Sequence, residues 1–182
     1  MYHVTEQLTD AEAHERRTQV LLAARWCFLH FGFAKTSMED IAKRAHLSRT
    51  LLYRMFKNKE DIFRSMFEDM FRDRYPAAEQ IAASRGSRVE RLTRACDLLL
   101  LEPWAEMIGA PMAAEFYEVC ARIAPAAEAK HRKTLLGVVQ EVLGSKEEAE
   151  VFLLSLDGLH GDLPSARVLR RRVDLLIARF CA

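Results

Sequence analysis

Apolar residues recur every three to four positions along almost the whole chain, and alternating apolar–polar runs are few. That periodicity predicts helices throughout. Val20, Ala24, Cys27/Phe28 and Phe31 form one stripe of a first helix expected from about Asp10 to Phe31, closed by Gly32. Leu22, Trp26 and Leu29 form a second stripe on the same helix. A helix that is apolar on two sides is buried on two sides, so this one should touch both its own domain and the next. Ser37-Met38-Glu39-Asp40 has the form of a capping box and opens a second helix to about Ala45. Ser48 caps a third, to about Phe56, and Asn58 caps a fourth, from Lys59 to about Arg74. Ile41, Ala42, Leu47, Leu52 and Phe56 supply a small local core. Residues 1–9 are expected to form a loose arm.

After Pro76 the breaks are legible one by one. Ser84-Arg85-Gly86 is a loop, and Ser87 to Glu90 is a capping box opening a helix to about Leu101. Pro103 starts a short helix, and Gly109-Ala110-Pro111 ends it. Further helices run to about Ile123, from Pro125 to Leu143, from Ser145 through Leu159, and from Ala166 to Phe180. The expected fold is all-α. A small domain spans residues 10–60 and a larger helical one 61–182, joined rigidly by the fourth helix.

Charge sharpens the division. The net charge of the 182 residues is only +1, yet Asp10 to Glu60 holds ten basic and six acidic side chains. A locally basic first third on a neutral chain suits a nucleic-acid surface confined to that third. Within it, Thr36 to Lys59 reads as two short helices and a tight turn, the helix-turn-helix that places its second helix in the DNA major groove. Arg49 stands where it could bond guanine through two N–H groups. Thr50 and Leu51 have the size to touch a thymine methyl or a phosphate, and Tyr53 and Arg54 lie on adjoining faces. Thr36, Ser37, Lys57 and Lys59 sit at helix starts, where N–H groups and lysine favour phosphate. Lys43 and Arg44 read as a solvated face.

These residues carry a family resemblance. Val20-Leu21, Ala23-Ala24, Phe28, Gly32-Phe33, Thr36-Ser37, Ile41-Ala42, Leu47-Ser48, Leu52-Tyr53, Phe56, Lys59-Glu60 and Ile62 resemble the N-terminal domain of TetR-type transcriptional regulators over residues 15–63. The resemblance implies a three-helix DNA-binding domain, a linking fourth helix and a helical regulatory domain. It implies a homodimer on a palindromic operator, usually repressing and often released by a small effector. It places base contacts on Arg49, Thr50, Leu51, Tyr53, Arg54 and Met55, and phosphate contacts on Thr36, Ser37, Tyr53 and Lys59, beside the cap Ser48. His46 departs from the glycine usual at the turn. Histidine tolerates a left-handed backbone better than most residues, so the turn should survive with some strain. Thr50 and Met55 also depart from the family pattern, which leaves the operator sequence open.

For the second domain the residues themselves must speak. The last two helices present apolar stripes that could meet their copies across a twofold axis, through Phe152, Leu156, Leu159, Leu169, Val173, Leu176 and Phe180. The alternative is that both stripes are internal core. Trp104, Met107, Phe116, Tyr117, Cys120 and His131 are large or polarisable residues near helix breaks, where kinks leave cavities. They are the candidates for a pocket taking an apolar or aromatic effector. Plain core packing is the competing reading, as is a regulator that answers to a protein partner or to no ligand.

Other functions find little footing. There is no glycine-rich phosphate loop, no HExxH, no GxSxG and no paired Cys/His spacing, which argues against an enzyme, a metal or a cofactor. The four cysteines form no CxxC and read as small hydrophobes. No apolar run has transmembrane length, and Met1 to Asp10 lacks signal-peptide features, so the expected location is the cytoplasm.

Overall fold

A computed structural model of the chain describes residues 10–182, so the arm expected at residues 1–9 lies outside the described residues. Every regular element among the described residues is helical. The first domain contains α1 (Asp10–Phe31), α2 (Met38–Arg44) and α3 (Arg49–Met55). They are followed by α4 (Lys59–Phe71), α5 (Arg74–Ala83), α6 (Arg88–Cys96), α7 (Glu102–Ala105) and α8 (Ala113–Ile123). The chain closes with α9 (Pro125–Leu143), α10 (Lys146–His160) and α11 (Ala166–Phe180).

The expected caps form. Ser37 accepts from the N–H of Asp40 while the Asp40 carboxylate accepts from the N–H of Ser37. Ser87 and Glu90 make the same reciprocal pair at α6. Gly32 (φ +85°) and Gly144 (φ +80°) close α1 and α9 in the left-handed region. His46 takes the same conformation, with φ +55°. The N–H of Leu47 bonds the Ala42 carbonyl (3.0 Å) and that of His46 bonds Lys43 (3.2 Å). This is the paired bonding of a Schellman turn, made here without glycine.

Two elements differ from the sequence reading. The fourth helix stops at Phe71, three residues short of Arg74, and α5 begins at Arg74 with Pro76 inside its first turn. Proline is tolerated there because first-turn N–H groups have no intrahelical partner. The helix from Ser87 widens over Asp97–Leu101 into a π-helical stretch before α7. Pro103 lacks the N–H that would bond the Leu99 carbonyl, and its ring would clash there, so one wider turn relieves both.

One core runs through the molecule. α1 packs on α2 and α4, while α9 lies against α4, α5, α6, α8 and α10. The joint between the halves is aromatic. Phe63 of α4 has its ring 5.5 Å from both Phe28 and Phe33, and 5.2 Å from Phe116 of α8. The double-sided character of α1 is realised unevenly. Leu29 is buried and its carbonyl accepts from the N–H of Met112, whereas Leu22 is 61% exposed. Trp26 is half-buried beneath the Arg44 guanidinium, 3.4 Å from its ring centroid.

Candidate DNA interface and effector cavity

The turn from Gly32 to Thr36 sets the start of α2 and is pinned from three directions. The Thr36 hydroxyl donates to the Gly32 carbonyl at 2.7 Å. The Lys59 ammonium donates to the carbonyls of Phe33 (2.8 Å), Ala34 (3.3 Å) and Thr36 (3.1 Å). Glu115, from the second domain, accepts from the N–H of Ala34 at 3.3 Å. A Cβ on Gly32 would meet the movable end of that side chain, so glycine is needed there for its φ of +85°.

These contacts engage two of the expected phosphate contacts, Thr36 and Lys59, within the fold. Thr36 is 2% exposed, and its hydroxyl donates its proton inside the fold. Lys59 has three N–H donors, and three carbonyls occupy them. Lys59→Met should therefore lower folding stability by about 1.5–3 kcal/mol, the range for hydrogen bonds to a charged group. Urea denaturation would measure it. A salt slope of DNA binding reduced by about one, with stability unchanged, would restore the phosphate role.

The other expected residues of this surface fall into a defined pattern. Arg49, Thr50, Tyr53 and Arg54 are exposed along one face of α3, with Lys57 beyond its end. Leu52 is buried beneath, and Leu51 and Met55 are half-buried on the flanks. The hydroxyl of Ser48 accepts from the N–H of Leu51 at 3.2 Å as cap, and Ser37 is exposed at the start of α2. Arg49 donates through one terminal nitrogen to Glu39 at 3.2 Å, an exposed pair of small energetic weight. Its other N–H groups make no hydrogen bond among the described residues.

All six residues singled out in the second domain line a single cavity of about 160 Å³: Trp104, Met107, Phe116, Tyr117, Cys120 and His131. The sequence reading missed other walls, including Phe67 and Phe71 of α4, Leu99 and Leu100 of the π-helical stretch, and Glu128 and His160. The Pro103 next to that stretch was the available signal. Phe116 faces both the cavity and Phe63, so a cavity wall doubles as part of the joint to the first domain.

Burial governs the ionisable groups here. It pushes the Cys120 thiol and the Tyr117 hydroxyl up to about 12, with the nearby carboxylates adding to the effect. It pushes His131 down to about 4 and lowers His160, the latter against the pull of Asp157. Two tyrosine–histidine pairs result. The Tyr75 hydroxyl lies 3.4 Å from Nδ1 of His131, and the Tyr117 hydroxyl 3.3 Å from Nδ1 of His160. At the rim, Arg132 and Asp157 form a 2.6 Å ion pair.

The seven residues expected at a dimer face divide. Phe152, Leu156, Leu169 and Val173 are buried within the chain's own core, which removes them from any surface. Leu159, Leu176 and Phe180 are half-buried at its edge. The outward faces carry a different set, Val151, Leu154 and Gly158 on α10 with Val168, Leu175 and Ala178 on α11.

A capped two-helix unit with a basic outer face, set by an aromatic joint on a cavity-bearing helical bundle, defines an all-α helix-turn-helix protein with a second, helical domain. Residues 20–66 match the family model of bacterial regulatory proteins of the tetR family. The chain is 39% identical over 71 residues to the HTH-type transcriptional repressor BepR of Brucella suis, covering 39% of this chain and 32% of that protein. It spans about a third of the length of the curated relatives it matches. The fold extends the likeness to the full length. A TetR-like transcriptional regulator from Rhodococcus sp. RHA1 aligns over 95% of this chain and 97% of its own, with a TM-score of 0.68 and 23% identity. SmeT, the repressor of the Stenotrophomonas maltophilia multidrug efflux pump SmeDEF, aligns over 90% of this chain and 87% of its own, with a TM-score of 0.69 and 21% identity. A SmeT–triclosan complex is similarly close, with a TM-score of 0.67 at 19% identity over 91% of each chain. The family likeness in sequence thus lies in residues 20–66, and the fold of the chain is shared with TetR-like regulators.

Proposed function

We propose that this protein is a DNA-binding transcriptional repressor of the cytoplasm. It occupies a palindromic operator as a homodimer and leaves it when a small apolar or aromatic effector fills the second-domain cavity. The observation that carries the DNA-binding reading is the outer face of α3. Arg49, Thr50, Tyr53 and Arg54 project together from a helix whose opposite side is anchored by Leu52. Ser37 and Lys57 flank it at the neighbouring helix starts, where phosphates would lie. The proposed division at residues 60 and 61 falls in the first turn of α4, a helix that packs on both α1 and α9 and so can carry a displacement between the domains. The effector reading draws on the convergence of six aromatic, sulfur-bearing and imidazole side chains on one cavity, and on the capture of a fold neighbour, SmeT, with triclosan.

Selection of genomic fragments with purified protein, then titration of the enriched site at two salt concentrations, tests this directly. An inverted repeat should be enriched. Arg49→Ala should cost about 1–3 kcal/mol on that site and relax discrimination at one base pair. Equal losses on the selected site and on random DNA would show that Arg49 contributes charge rather than base reading.

A further inference from the structure

We propose that the cavity selects uncharged, single-ring aromatic molecules bearing one hydrogen-bond acceptor, which is held by the Nε2–H of His131. The inference rests on the reading of the cavity as the effector site and specifies its ligand class.

Size sets the first limit. The volume of about 160 Å³ is close to that of an engineered apolar cavity of about 150 Å³ that takes benzene. Phe67, Phe71, Trp104, Phe116 and Leu135 supply flat, apolar walls. A second fused ring would need the walls to move.

The polar chemistry narrows the choice further. The hydroxyl of Tyr75 has one acceptor among the described residues, Nδ1 of His131. Burial keeps the tyrosine protonated and the imidazole neutral. We assign the tyrosine as the donor to Nδ1, which leaves the single imidazole proton on Nε2. No hydrogen bond to Nε2 is made among the described residues, and that atom is not among the sealed, unpartnered ones. His131 thus brings a free donor to the part of the wall it shares with Phe67 and Phe71. An ammonium group cannot accept from it and must shed its hydration among the aromatic walls, while of the two carboxylates at the lining Glu128 is exposed and Asp157 is held by Arg132. A carboxylate could accept from it but must pass Glu128 and Asp157 at the lining, against the single Arg132, which Asp157 already holds. A ketone, aldehyde or ester on one ring satisfies Nε2–H at no charge cost.

The test uses the full-length chain without DNA and four probes of matched size: toluene, acetophenone, benzoate and benzylammonium. Quenching of Trp104, with Trp104→Phe as control for Trp26, reports occupancy, and calorimetry gives affinity. Acetophenone should bind roughly tenfold more tightly than toluene, the worth of about one net hydrogen bond. Benzoate and benzylammonium should bind more weakly than toluene. His131→Phe should bring acetophenone to the level of toluene while changing toluene by less than about twofold, the expected result if the advantage lies in one bond. Tyr75→Phe, which frees the tautomer, should shrink the same gap in part. The ranking in the unmodified protein stands even where His131→Phe fails to fold. Equal binding of toluene and acetophenone, tightest binding of benzylammonium, or no binding of any probe would overturn the proposal. Because occupancy is read on protein alone, acetophenone that binds without releasing DNA would count against the regulator reading and leave the ligand class intact.

Discussion

Phe63→Ala should lower folding stability by about 3–5 kcal/mol, the range for removing a buried phenylalanine. Phe63 is fully buried and its ring meets Phe28, Phe33 and Phe116 at centroid distances of 5.2–5.5 Å. Those three partners belong to α1, the turn before α2, and α8, so the site cannot collapse by moving one neighbour. For a chain of this size, about 3–5 kcal/mol corresponds to a fall in melting temperature of roughly 6–20 °C. The same cluster joins the cavity wall to the turn that starts α2. Phe63→Leu, which keeps most of the volume, should cost less stability and still weaken any coupling between cavity occupancy and DNA affinity. Thermal denaturation of both variants, followed by DNA titration with and without acetophenone, separates the two effects. A Phe63→Ala protein that melts within about 2 °C of the parent would mean that the cluster is not the joint described here.

Leu154→Glu should leave the single chain folded and abolish the dimer. Leu154 is 64% exposed, so a carboxylate there costs the monomer little. On the proposed twofold face it would lie among Val151, Gly158 and Leu175 and approach its own copy, burying like charges in an apolar contact. Leu175, 60% exposed on α11, belongs to the same outward surface. Sedimentation should give the monomer mass for Leu154→Glu. Operator affinity should fall by about 10²-fold or more, because two linked half-site contacts become separate events. Substitution of Leu156, in contrast, should damage folding first, since that side chain lies in the chain's own core. Dimer mass and unaltered operator binding in Leu154→Glu would place the interface elsewhere.

The contrast between Leu154 and Leu156 shows where periodicity stops being informative. Apolar spacing on α10 and α11 identified two helices that bury one face, and both formed with the expected bounds. The strong stripe, Phe152 and Leu156 with Leu169 and Val173, is the one that closes the chain's own core. The weaker outward stripe was left unassigned because each helix carries two apolar faces, and spacing does not say which neighbour each face meets. Lys59 makes the same point for a charged residue. Its position at a helix start is visible in the sequence, but the Phe33, Ala34 and Thr36 carbonyls that occupy it come from more than twenty residues away.

By itself the sequence determined the local structure: the caps at Ser37, Ser48, Asn58 and Ser87, the stops at Gly32 and Gly144, and the helix-turn-helix with its His46 turn. Those features depend on hydrogen bonds and backbone preferences within about five residues, so they are written in short stretches of chain. It also brought forward six residues that converge on one cavity, because aromatic and methionine side chains beside helix breaks are poorly placed to fill space evenly. Tertiary structure alone decided that Thr36 bonds Gly32 and Lys59 three carbonyls, and that the Tyr75 hydroxyl meets His131. It alone decided that Phe63 binds the two domains and which stripe of α10 faces outward. Each of these depends on groups brought together from distant segments, whose contacts no local pattern of spacing encodes.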